Sequence, residues 1–96
     1  MDERNYIINL YDIYGDLLTE HQQTYFEDYY FNNLSLSEMS ENYDISRNGI
    51  HKQVKDAEEK LKKYEEKLNI YNRNTNIKNI IQELDEKVKE QIINML

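Results

Sequence analysis

The sequence predicts an all-α chain, a helical bundle ending in a long C-terminal helix, and three observations carry that reading. Proline is absent, glycine occurs only at Gly15 and Gly49, and apolar residues recur at helical rather than alternating spacing. Short strands joined by tight turns would lack their usual punctuation. Ile7, Leu10, Tyr11, Tyr14, Leu17 and Leu18 outline a first helix that loosens at Gly15. A second helix opens at Thr19, with Gln22 at the spacing of a reciprocal cap, and its expected inner side is Phe26, Tyr29 and Tyr30. Asn32 and Asn33 end it. Ser35 with Glu38 repeats that capping spacing before a short helix built on Leu36, Met39 and Tyr43.

Asp44 suits the following turn, because Asp tolerates the left-handed backbone better than most residues. Ser46 then caps a long amphipathic helix whose apolar stripe is Ile50, Val54, Ala57, Leu61, Tyr64 and Leu68. Asn72, Asn74, Thr75 and Asn76 read as a polar connector, and a final helix is expected over 77–95 on Ile77, Ile80, Ile81, Leu84, Val88, Ile92 and Met95. The chain divides accordingly into residues 1–71, carrying the capped helices, and 72–96, a C-terminal helix for packing or dimerisation. Positions 77, 81, 84, 88 and 95 approximate a heptad seam interrupted by Gln91, so pairing with a second copy competes with packing back on the same protomer.

Composition narrows the function. The 96 residues are 39% hydrophobic and 32% charged, so the core is thin and exposed apolar faces favour a homodimer. Cysteine is absent, which removes disulfides and thiolate chemistry and agrees with a reducing compartment. Asp2 and Glu3 stand where a secretory leader would be basic, and no apolar stretch is of membrane-spanning length, so a cytoplasmic protein is expected. His21 and His51 have no companion at metal-ligand spacing, and neither a base beside a nucleophile nor a glycine-rich phosphate loop is present. No enzyme, metal or cofactor is expected. The nine tyrosines are better explained as core and interface aromatics than as base-stacking platforms.

Charge is uneven. Residues 1–45 hold ten acids against Arg4 alone, whereas residues 46–96 hold eleven bases and nine acids, within a chain of net charge -7. Two helices joined by a turn of three or four residues, with polar residues outward on the second, describe a helix-turn-helix. Met39, Tyr43, Ile45, Ile50 and Val54 are expected to pin its two helices together, with small Ser40 at their closest approach. Arg47, Asn48, His51, Lys52 and Lys55 fall on the outer face and form the candidate nucleic-acid contact: Arg and Lys suit phosphates or guanine edges, and Asn suits adenine. Solvated positions of an ordinary amphipathic helix would look similar. Glu58, Glu59, Glu65 and Glu66, alternating with lysines, read as such a solvated face.

The stretches "LYDIYGDLLTEHQ", "YFEDYYFNNLSLSEMSE" and "EKLKKYEEKL" make most of residues 10–68 resemble the YlxM family, small proteins encoded beside the signal recognition particle, and more distantly region 4 of bacterial sigma factors. The resemblance departs at Ser40, where Ala is usual, and at Asp44, where Gly is common; a looser angle between the helices is the expected effect. It implies a dimeric helix-turn-helix protein with a regulatory part in the signal recognition particle pathway, through the particle's protein, its RNA or both. A dimeric transcriptional regulator reading double-stranded DNA is the alternative.

Overall fold

The computed structural model describes residues 2–84 and 86–96, and among them the chain forms six α-helices and no strand. They are α1 (Glu3–Tyr14), α2 (Glu20–Tyr30), α3 (Leu36–Tyr43), α4 (Arg47–Leu68), α5 (Ile70–Ile81) and α6 (Glu86–Met95), with a single 3-10 turn over Gly15–Leu17. Local chemistry sets most of the boundaries. Thr19 and Ser35 each form a reciprocal capping box, with Gln22 and Glu38, and the Ser46 hydroxyl accepts from the Gly49 N–H at 3.0 Å. Where glycine would ordinarily end a helix or turn the chain, Asn33, Asp44 and Asn69 adopt the left-handed backbone, with φ of 56°, 54° and 55°.

α4 runs beneath both halves of the core. Its first turns meet α2 and α3 through Ile50 and Val54 against Tyr25 and Met39. Its later turns meet α1 and α2 through Ala57 and Leu61 against Ile7, Leu10, Tyr14, Leu18 and Phe26. Tyr30 packs on both clusters and joins them. Burying these side chains supplies the main driving force for the bundle.

Four tyrosine hydroxyls clamp the same helices together by donating to carboxylates. Tyr11 donates to Glu27 between α1 and α2, Tyr30 to Glu58 between α2 and α4, and Tyr43 to Asp28 between α3 and α2. Tyr14 donates to Glu65 at 2.6 Å, between α1 and α4. Each hydroxyl brings a polar partner to an aromatic ring that is otherwise packed in the core.

Several expectations are corrected here. The polar run Asn72–Asn76 is not a connector: the break lies at Asn69, and α5 continues through it. Nor does one helix fill 77–95, because α5 ends at Ile81 and α6 begins at Glu86. Leu68 is 53% exposed rather than buried, whereas Glu65 on the same helix is 7% exposed and belongs to the interior. Glu58 is likewise engaged by Tyr30, so the carboxylate run is not uniformly solvated. Ile45 sits at 36% exposure, more a lid on the turn than a pin within it. Tyr25, outside the expected inner face of α2, is buried, while Tyr29 and Tyr30 are half-buried.

The C-terminal arm is less enclosed. Ile81 is buried, but α6 contributes no buried residue. Accordingly the radius of gyration is 16.7 Å, against roughly 13 Å for a compact domain of about 100 residues.

Candidate nucleic-acid interface

The turn that aims α4 consists of Asp44, Ile45 and Ser46, three residues between α3 and α4. Three bonds fix it. The Asp44 and Ile45 N–H groups both donate to the Ser40 carbonyl, and the Ser40 hydroxyl donates back to the Ile45 carbonyl, a bond that alanine could not make. Gly49 completes the close approach, since a Cβ there would stand 2.8 Å from the Ile45 Cγ2 methyl. The sequence-level objection to a glycine inside a helix is thereby answered: its helix-propensity cost of about 1 kcal/mol is set against the space Ile45 occupies.

From this turn, Arg47, Asn48, His51, Lys52 and Lys55 emerge on the outer side of α4, and all five are exposed. Ile50 and Val54, lying between them in sequence, are 0% and 3% exposed and anchor the helix from beneath. No carboxylate occurs from Arg47 to Lys55; the first is Asp56, paired with Lys52 at 3.0 Å. That pair is 76% and 45% exposed, so solvent screens it and a phosphate can readily displace the carboxylate. A depression of about 280 Å³ opens beside the helix start, lined by Leu36, Arg47, Asn48 and His51.

Farther along α4 the cations are employed differently. Lys62 makes a 2.6 Å ion pair with Glu3 of α1, whose hydrogen bond holds the ammonium above its ordinary pKa. It therefore does not extend the bare cationic face. In the acidic front half, Arg4 donates to the Tyr30 carbonyl at 2.7 Å and lies 5.0 Å from the Tyr30 ring centre, which engages its charge in closing α2. All the front-half acids except Asp28 are exposed.

Sequence reasoning missed two parts of this region. Leu36 was assigned to the inner face of α3, yet its half-buried side chain also lines the depression beside Arg47. Glu65 was read as a surface charge. Its carboxylate accepts from the Tyr71 N–H at 3.0 Å and the Asn72 N–H at 3.0 Å, and the Ile70 N–H donates to the Tyr14 hydroxyl at 3.1 Å. The opening turn of α5 is thus capped by side chains of α4 and α1. Among the described residues, no group of three metal-binding side chains is positioned to hold an ion, and no helix is long and apolar enough to cross a membrane.

Comparison with known proteins places this geometry in a family. The family model that matches residues 1–95 carries the description "Putative helix-turn-helix protein, YlxM / p13 like" and the family name UPF0122. The chain belongs to the UPF0122 family. A UPF0122 protein of Caldanaerobacter subterraneus is 48% identical over 61 residues, covering 64% of this chain and 52% of that protein. One from Fusobacterium nucleatum is 44% identical over 69 residues, covering 65% and 67%. One from Malacoplasma penetrans is 39% identical over 85 residues, covering 88% and 79%. In the first of these matches the alignment spans about half the length of the curated relative.

Proposed function

We propose that this UPF0122 chain is a non-enzymatic regulatory protein that sets the first turns of α4 against double-stranded DNA. The observation that carries the reading is the outer face from Arg47 to Lys55: exposed, cationic, free of carboxylates and held from below by Ile50 and Val54. A major groove of B-form DNA admits such a helix, whereas the deep, narrow major groove of A-form RNA does not. With only three full positive charges on this face of each copy, a single chain neutralises few phosphates. A homodimer doubles the contact and would place its helices roughly 34 Å apart, one duplex turn. The uncovered α6, where Leu84, Val88, Ile93 and Met95 around and along the helix are 40% to 83% exposed, offers the apolar surface for that pairing, in keeping with residues 72–96 as a dimerisation segment.

The test is anisotropy of a labelled mixed-sequence duplex across a salt series. Wild-type affinity is expected to fall steeply with salt, and Arg47→Ala, Lys52→Ala and Lys55→Ala combined are expected to flatten the log–log slope by about three, roughly one for each lost phosphate contact. An unchanged slope in the triple variant would assign binding to another surface.

The charge division supports a second reading, a place in the signal recognition particle pathway through the particle's protein and RNA. Ten acids against one base in residues 1–45 suit a basic protein surface and oppose close approach of that half to a nucleic acid. A pull-down with the particle's GTPase, with and without its RNA, is expected to capture the chain at low salt and release it at high salt. Failure to capture in both conditions eliminates this reading and leaves the first intact.

A further inference from the structure

We infer that the depression at the start of α4 is a receptor for the 5-methyl group of a thymine, with Leu36 as the residue that selects it. The inference rests on the duplex-DNA reading and specifies what that face would recognise. Leu36 is the first residue of α3, and its half-buried side chain packs against the cluster of Tyr25, Met39, Ile50 and Val54, so its position is set by the core. The same side chain lines the 280 Å³ depression, and it is the one apolar residue to do so. The other lining residues are Arg47, Asn48 and His51.

A pocket that served only a phosphate would be lined by donors and positive charge, because an apolar wall gives a phosphate oxygen nothing to bond. Here an apolar wall stands beside an amide, an imidazole and a guanidinium, without a carboxylate among them. The edge of a base pair in the major groove has this mixed character. Thymine presents a methyl group beside its O4 acceptor, and adenine opposite presents N7 and the N6 amino group. The Leu36 side chain suits the methyl, Asn48 suits the adenine edge, and Arg47 suits a neighbouring phosphate or guanine. Uracil lacks the methyl, so the pocket favours DNA by its chemistry as well as by groove width.

The decisive comparison uses the full chain and two labelled duplexes of the same alternating A·T sequence, one with thymine and one with every thymine replaced by deoxyuridine. At equal salt, wild type is expected to bind the thymine duplex about fourfold more tightly, the equivalent of about 0.8 kcal/mol for one buried methyl-sized group. Leu36→Ala is expected to bring the two affinities together, while Leu36→Met, which retains an apolar side chain, keeps the preference.

Circular dichroism reports whether the alanine variant folds; if it does not, the wild-type comparison and the methionine variant decide the matter. Equal wild-type affinity for both duplexes overturns the inference while leaving duplex binding standing. So does a preference that survives in folded Leu36→Ala, since it would then reflect duplex shape. Absence of salt-dependent binding to either duplex removes the duplex reading itself.

Discussion

Replacing Glu65 with alanine is expected to remove about 3 kcal/mol of folding stability, as a lower urea midpoint with little change in slope. Glu65 is 7% exposed, and its two oxygens accept from the Tyr14 hydroxyl and from the Tyr71 and Asn72 N–H groups. Truncation leaves a phenol and two backbone donors at a helix start without their acceptor, each a deficit of about 1 to 3 kcal/mol when water cannot replace it. Replacement is partial here, because an open cavity of about 380 Å³ lined by Tyr6, Glu65, Glu66 and Asn69 adjoins the site. That moderates the total. Glu65→Gln is expected to lose less, since its amide oxygen still accepts, although its NH₂ cannot.

A solvated surface glutamate would behave otherwise. Such a replacement falls within about 0.5 kcal/mol of wild type, and a result of that size would show that α5 is held by other means. Hydrogen exchange distinguishes where the loss acts: amides of Ile70–Ile81 are expected to exchange faster than those of α1 to α4, because the cap is lost at α5 while both core clusters remain. α1 to α4 would retain Phe26, Met39, Ile50 and Leu61 in place. The Arg47 to Lys55 face would retain its support.

The contrast between Glu65 and the capping boxes explains what could be read in the sequence. Thr19 with Gln22, Ser35 with Glu38, and Asp44 in the left-handed turn are local: the partners lie within three residues, or the backbone preference belongs to the residue itself. The outer face of the helix-turn-helix was equally legible, because Ile50 and Val54 fix which side of α4 is inward. Glu65 caps α5 together with Tyr14, and the Tyr14–Glu65 contact spans 51 positions, invisible to any local window. It also falls four residues beyond Leu61, where the apolar stripe could continue through either Tyr64 or Glu65, and hydropathy favours the wrong one.

The same long-range cap makes 72–76 helical despite its polarity. Asn74 and Thr75 are half-buried beside Asn9, Asp12 and Ile13 of α1, so tertiary contact overrides a composition that reads as a linker. Leu36 was legible as an apolar helix residue, but its second role depends on which side chains the α3–α4 turn brings next to it.

Above pH 10 the bundle is expected to lose stability sharply, with tyrosine ionisation and loss of helicity in one transition. Burial raises the Tyr11, Tyr14 and Tyr30 hydroxyls above their ordinary value, reinforced by their bonds to Glu27, Glu65 and Glu58. The bond to Asp28 pushes Tyr43 up to about 12. The unfolded chain ionises these phenols near pH 10, so between there and their folded values it binds fewer protons than the native state, and stability falls as pH rises. Below pH 10 the stabilisation is fully present; above the folded values it is gone. A phenol ionised only in the unfolded chain contributes a slope of about 1.4 kcal/mol per pH unit, reduced for partly exposed rings. Several acting together exceed the stability of a small domain within about two units. Lys62, raised through its bond to Glu3, acts in the same direction. Replacing Tyr30 and Tyr43 by Phe is expected to flatten the alkaline slope while lowering stability near neutral pH, because Glu58 and Asp28 lose their donors. Tyrosinate absorbance that rises near pH 10 in a chain still fully helical would mean that these clamps do not hold in solution.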